Sequence, residues 1–164
     1  MTKKYVTYAM MTALTLAISM WVIIPIPGSN GFVSLIDAGI FTSALLFGPM
    51  GGFFVGALSG GLLDVISGYF QWTLFSFFIH GAQGWLAGKF LNQSAWGKII
   101  GLIFASAIMV FGYFLTSWFM YGLPVALAAI PSDSIQTLVG AAIALPLSQI
   151  LRSILPKHIL NSQM

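Results

Sequence analysis

The chain has 164 residues, 59% of them hydrophobic and 5% charged, with six Lys or Arg, three Asp and no Glu. A water-soluble domain carries roughly a quarter charged residues, so a soluble globular protein is excluded and the chain belongs in a lipid bilayer. Cysteine is absent, which removes disulfides and thiolate metal sites.

A helical crossing needs about 20 apolar residues, so the chain has room for at most about eight and none for a separate soluble domain. The apolar runs are continuous rather than alternating, which argues against a membrane β-barrel. One all-α membrane domain over residues 1–164 is expected.

In chain order, the first run is Tyr5–Ile24, uncharged behind Lys3 and Lys4. It is too long for a signal-peptide core and reaches Pro25-Ile26-Pro27-Gly28 without a small-x-small cleavage site, so it reads as a retained helix. A loop follows over 28–34. The next uncharged stretch, Ala38–Leu63, is interrupted by Phe47-Gly48-Pro49-Met50-Gly51-Gly52, which marks a tight turn. It divides into a short second helix, about 32–47, and a third, about 51–67. Beyond Gly68-Tyr69-Phe70-Gln71 a fourth helix covers about 72–91, and beyond Asn92-Gln93-Ser94 a fifth covers about 96–121. Gly122 and Pro124 end it, and an apolar loop runs to Pro131. Ser132-Asp133 is expected to cap a sixth helix that reaches about Leu155, with a kink at Pro146.

Charge placement supports this count. With six helices, Lys3, Lys4, Lys89, Lys98, Arg152 and Lys157 all fall on one side of the membrane. Asp37 and Asp133 fall at the other side, and Asp64 lies in its half of the bilayer. Merging the second and third helices would move Lys89 and Lys98 opposite to Lys3 and Lys4. The positive-inside rule therefore predicts a six-transmembrane-helix bundle in the cell membrane, multi-pass, with both termini cytoplasmic.

Few residues are equipped for chemistry. An ionisable group inside a membrane helix costs about 2.5–3.5 kcal/mol on insertion scales and is usually functional. Asp64 and His80 lie at similar depths on successive antiparallel helices. Two readings stay open for them: a structural hydrogen bond that fastens the hairpin, or the polar floor of a ligand pocket. Asp37 and Asp133 sit where helix N-caps sit, and Gln136 shares the face of Asp133. Among the aromatics of the same half, Tyr69 and Trp72 are candidates to stack on a flat ring; the rest suit an interfacial belt. Three Asp and no Lys or Arg in this half favour a neutral or weakly basic ligand over an anion, although helix N-termini there could hold one.

Gly48, Gly52, Gly56 and Gly60 recur every four residues, as do Ser76, His80, Gly84 and Gly88. Such stripes let helices approach closely in lipid. Ala9, Ala13 and Ala17 make a similar shallow groove on the first helix, which would seat either a partner protein's helix or a neighbour in the same bundle. No P-loop, no His-Glu-x-x-His and no Gly-x-Ser-Gly is present, so an enzyme is not expected. Neither a cofactor, a metal nor a nucleic-acid partner is expected.

Three segments then resemble one family. Leu35-Ile36-Asp37-Ala38-Gly39 leads to Leu46-Phe47-Gly48-Pro49-Met50-Gly51-Gly52, followed by Leu63-Asp64-Val65-Ile66-Ser67-Gly68-Tyr69. Together they resemble the substrate-binding S components of energy-coupling factor (ECF) vitamin transporters, in the riboflavin-transporter-like branch that includes hydroxymethylpyrimidine and pyridoxine proteins. The Ala9, Ala13, Ala17 series is similar to that family's Ala-x-x-x-Ala motif in its first helix. The resemblance covers the first four helices specifically and the last two by length and charge.

It implies a six-helix bundle that captures a small B-vitamin or precursor near the outer face, beneath the loop after the first helix. It also implies a membrane coupling (T) subunit and two cytoplasmic ATPase subunits as partners, toward which the loaded protein topples. The expected binding residues are Asn30, Asp37, Asp64, Tyr69, Trp72, His80, Asp133 and Gln136, with Asn30 in a closing loop. The expected docking residues are Ala9, Ala13 and Ala17. Riboflavin or another vitamin as the ligand, or a structural membrane scaffold with no transport role, are the alternatives.

Overall fold

The computed structural model describes residues 2–26 and 32–156, with side chains from Lys4 onward. Its helices are α1 (Thr2–Trp21), α2 (Ile36–Ser67), α3 (Thr73–Lys89), α4 (Ala95–Tyr121) and α5 (Leu123–Ile154). Between α1 and α2 lie two short antiparallel strands, β1 (Ile24–Pro25) and β2 (Phe32–Val33), with Ile24 opposite Val33 and Pro25 opposite Phe32. The helix expected to start near Phe32 therefore starts later, at Ile36. By length and composition, α2, α4 and α5 can each cross a membrane.

The turn expected at Gly48 breaks α2 there. Gly48 adopts φ 75° and ψ −165°, a left-handed backbone open mainly to glycine. Pro49 next to it has no N–H, so the Leu45 carbonyl four residues back lacks its helical donor. Arg152 from α5 supplies one, donating from Nη2 to the Leu45 oxygen at 2.7 Å.

The two small-residue stripes meet along the second limb of α2 and the length of α3. A side chain added at Gly52 would strike the Gly84 carbonyl, one at Gly56 the His80 carbonyl, and one at Gly88 the Gly48 backbone. Backbone lies on backbone along this antiparallel pair, which is how small residues hold helices together in lipid. Beside the stripes, Phe41, Ala44 and Leu45 of α2 pack with Ala87, Leu102, Ala105 and Ala144, one contribution from each of α3 and α5 and two from α4.

Helix α1 turns an unusual face inward. Tyr8, Thr12, Thr15 and Ser19 are buried, while Val6, Met10, Leu14 and Ile18 are exposed. The buried hydroxyls return their hydrogen bonds to carbonyls one turn back, Thr12 to Tyr8, Thr15 to Met11 and Ser19 to Thr15. Thr15 seats against Gly39 of α2. Outside water, an apolar face needs no burial, so polarity and exposure trade places.

Helix α5 corrects the expectation for its start. The segment expected as an apolar loop to Pro131 is helical from Leu123, and α5 continues through Pro131 and Pro146. Pro124 sits in the first turn, where a missing N–H costs nothing. Interior prolines are tolerated in membrane helices, whose neighbours re-satisfy the freed carbonyls. Ser132 and Asp133 consequently lie inside a helix and cap nothing; the Ser132 hydroxyl donates to the Ala129 carbonyl.

The described cations gather at one end. Lys4 and Lys89 line a recess with Gly48 and Pro49, Arg152 reaches Leu45, and Lys98 lies close enough to Arg152 to feel its charge.

A candidate ligand cavity

The opposite end of the bundle collects what the sequence singled out as polar. There α1 ends, the β1–β2 hairpin crosses, α2 both starts and finishes, α3 and α5 start, and α4 finishes. The closing of α2 is sharp: Gly68 takes φ 82°, its N–H bonds the Val65 carbonyl, and a single 3-10 turn over Phe70–Trp72 leads into α3.

Among these ends lies a cavity of about 580 Å³ including its mouth, of which about 50 Å³ is open to the centre of a water molecule. Most of that space lies against the walls or in the mouth, so the site is a narrow slot. Phe32 and Ser34 of the hairpin side, Asp64 of α2, and Ser76 and His80 of α3 form part of its lining. Tyr113 of α4 and Asp133 and Gln136 of α5 face them.

Five of the predicted binding residues meet at this lining: Asp64, Trp72, His80, Asp133 and Gln136. Trp72 is 6% exposed and tilts against Tyr113 and Tyr121, with ring centres 5.8 and 5.9 Å away. Tyr69 does not join the lining; its ring lies 5.0 Å from that of Phe32. Asn30 lies outside the described residues.

Asp37 departs from its expected role. It occupies the first turn of α2, fully buried, and caps no N–H; Ser34 is the side chain that accepts from the Ile36 N–H. Its carboxylate instead makes tertiary bonds beside the cavity. Gln136 Nε2 donates to Asp37 Oδ2 at 3.2 Å, and His80 Nδ1 lies 3.5 Å from Asp37 Oδ1. The structural-pair reading of Asp64 with His80 is thereby corrected: the carboxylate paired with His80 is Asp37. A fully buried carboxylate demands such partners, because water cannot reach it.

Gln83, Ser106, Tyr113 and Ser34, which the sequence did not single out, complete the network. Gln83, fully buried on α3, accepts from His80 Nδ1 at 2.8 Å and donates to Thr137 Oγ1 at 3.3 Å. Thr137 in turn shares a 2.8 Å hydrogen bond with Ser106 of α4. The Tyr113 hydroxyl donates to Ser76 at 2.7 Å. Gln136 Oε1 accepts from the Ser34 N–H at 2.7 Å, tying the hairpin to α5. A sequence signal that could have found this network is Gln83 itself, a full amide one turn from His80 in a largely apolar helix. Among the described residues, no three His, Cys, Asp or Glu side chains converge as metal ligands do.

The alanine series lies far from this cavity in kind. Ala9, Ala13 and Ala17 are exposed on α1, on the face away from Tyr8, Thr12 and Thr15. Among the described residues no helix of the same bundle buries them.

Comparison with known proteins bears on this arrangement. Residues 1–153 match the family described as ECF-type riboflavin transporter, S component. The chain is 36% identical over 150 residues to the thiamine precursor transporter HmpT of Lactococcus lactis subsp. cremoris, covering 91% of this chain and 87% of that protein. It is 37% identical over 136 residues to an uncharacterized protein in the gap 3′ region of Pyrococcus woesei, covering 82% and 91%. A solved structure of the S component of a bacterial ECF transporter superposes with a TM-score of 0.75, over 93% of this chain and 97% of its own. Sequence identity there is 21%, so that likeness speaks for the fold.

Proposed function

The chain belongs to the S components of ECF-type riboflavin transporters, and from that premise we propose that it captures a pyrimidine precursor of thiamine, of the hydroxymethylpyrimidine class. The observation that carries the substrate is the relative at 36% identity over nearly the whole chain, whose name states a thiamine precursor. The cavity agrees with it in chemistry, being narrow, walled by Trp72 and, among the described residues, free of lysine and arginine. In this reading Asp64 and His80 hold the polar edge of the ring, Trp72 covers its face, Asp133 and Gln136 close the α5 side, and Asn30 belongs to the loop over the mouth.

The protein is a membrane transport subunit, and its family is not one of enzymes. We place the cavity outside and the cations inside. The break at Gly48 then divides α2 into two passes, giving six spans with both termini cytoplasmic, which the gathering of Lys4, Lys89, Lys98 and Arg152 supports. Import requires a membrane coupling subunit and two cytoplasmic ATPases, docked through the exposed alanines of α1.

Riboflavin is the second reading, because the family's own description names it. Mass spectrometry of the ligand extracted from the purified chain separates the two: a pyrimidine near 140 Da is expected, on the order of a single-ring ligand for so narrow a site. A flavin in its place overturns the proposal, and uptake that persists without any ATPase partner overturns the S-component mechanism.

A further inference from the structure

We propose that the cavity selects its ligand by hydrogen-bond direction at one point: Asp64 presents an unpartnered acceptor and recognises an N–H donor on the ring. The inference rests on the cavity being the ligand site and goes beyond it by fixing what the ligand's polar edge must offer.

Gln136 has no freedom in its orientation. A backbone N–H must meet its Oε1 and a carboxylate must meet its Nε2, and both contacts are made, to Ser34 and Asp37. One of its two amide N–H groups is therefore engaged within the protein. Tyr113 spends its hydroxyl proton on Ser76. His80 Nδ1 faces two oxygens, Gln83 Oε1 at 2.8 Å and Asp37 Oδ1 at 3.5 Å, so the ring proton sits on Nδ1. In the neutral ring the other nitrogen, Nε2, accepts, on a side chain that lines the cavity.

Asp64 is a lining carboxylate with an acceptor left unused. Asp64 is 6% exposed and lines the cavity, and its Oδ2 has no hydrogen-bond partner among the described residues. Asp133, 9% exposed, adds a second carboxylate to the same lining. A buried polar atom left without a partner is costly, and burial without one is rare in folded proteins. A ligand that brings a donor to Asp64 removes that cost; one that brings a carbonyl oxygen adds to it.

The chemistry selected is a small ring with an exocyclic amino group. A 4-aminopyrimidine qualifies, since its amino group donates to Oδ2 and its ring faces an aromatic wall. The imide edge of an isoalloxazine does not, since it presents two carbonyl acceptors around one N–H. The family's description and this chain's ligand class thus part company at Asp64.

The test measures binding to the purified, detergent-solubilised full chain by titration calorimetry. The probes are 4-amino-5-hydroxymethyl-2-methylpyrimidine, its 4-methyl counterpart of similar shape with no N–H donor, and riboflavin. Wild-type protein should prefer the amino compound over the methyl one by about tenfold or more, the size of one lost buried hydrogen bond. In Asp64→Leu the preference should fall to within about threefold, because the acceptor is gone for both ligands. Asp64→Asn, closer in shape, should give an intermediate ratio and guards against loss of folding in the leucine variant. Equal wild-type affinity for the two pyrimidines overturns the inference while leaving pyrimidine capture standing. A preference that survives in both variants places the donor's partner elsewhere and overturns it too. Binding of riboflavin and of neither pyrimidine overturns both the inference and the proposed function.

Discussion

Two helix pairs wall the cavity, and they are built on different principles. The α2–α3 pair is locked backbone to backbone through Gly48, Gly52, Gly56, Gly84 and Gly88. The α4–α5 pair meets it through side chains: Ser106 with Thr137 inside that pair, Tyr113 to Ser76 and Gln136 to Asp37 across the divide. Burial follows the same division, since 72% of the most apolar window of α2 is buried against 28% for α4 and for α5. One wall is a fixed frame carrying Asp64, Ser76 and His80. The other is fastened to it by a few polar contacts at cavity depth and by small apolar residues below.

The comparison breaks most visibly in the frame. Gly84→Val places a branched side chain against the Gly52 backbone, which has no rotamer with which to yield. The pair should fail to form, and no monodisperse protein is expected by size-exclusion chromatography in detergent. Leu115→Ala, on the outward side of α4 and 43% exposed, is the matched control. It should change stability by less than about 0.5 kcal/mol. A well-folded Gly84→Val would mean that the frame is no more rigid than its partner wall.

The frame was also the most legible part of the sequence, and for the same reason. Small residues every four positions state both that two helices touch and which faces they use. The fastening contacts carry no such signature. His80 pairs with Asp37 rather than Asp64 because the first turn of α2 comes to the depth of His80, and sequence spacing does not reveal which of two carboxylates at that depth is nearer. Asp133 was misplaced as a cap because Gly122, Pro124 and Pro131 resemble loop punctuation, although a membrane helix absorbs prolines that a soluble one rejects. Two-residue strands have too few positions to show a period, so β1 and β2 left no trace.

Gln136 sharpens the comparison next, as the side chain that joins the hairpin, α2 and α5 at once. Gln136→Leu strands the Ser34 N–H and removes a donor from the buried Asp37 carboxylate. The expected loss is about 3 kcal/mol of stability, read from denaturant titration in detergent. Ligand affinity should fall with it, because the hairpin is no longer held over the cavity. An unchanged affinity would show that the two walls are fastened elsewhere.

At the far end, Arg152 performs the corresponding task for the break in α2. Arg152→Leu leaves the Leu45 carbonyl without the donor that Pro49 had already denied it. A cost of about 1–2 kcal/mol is expected, with ligand affinity unchanged because the cavity lies at the opposite end. Thermal unfolding followed by tryptophan fluorescence, with and without ligand, separates these two effects. A drop in affinity would mean that the break and the cavity are mechanically linked.

The smallest effect on the fold is expected on α1, where burial and polarity are reversed within a single helix. Thr12, Thr15 and Ser19 face inward with their hydroxyls satisfied, while Ala9, Ala13 and Ala17 face outward and are exposed. A stripe of alanine facing lipid contributes nothing to the bundle that a larger apolar residue would not match. Its distinguishing property is the shallow groove it leaves, in which another helix can lie close. Ala13→Trp fills that groove without touching the buried face. The variant should purify, unfold at the wild-type temperature and bind ligand with unchanged affinity. It should nevertheless fail to co-purify with the coupling subunit and fail to support uptake in cells carrying the ATPases. Thr15→Trp provides the opposite outcome from two residues away, since its side chain would meet Gly39 and disrupt folding itself. If Ala13→Trp still assembles and transports, the alanines serve only as lipid-facing surface, and docking must be sought on another exposed face.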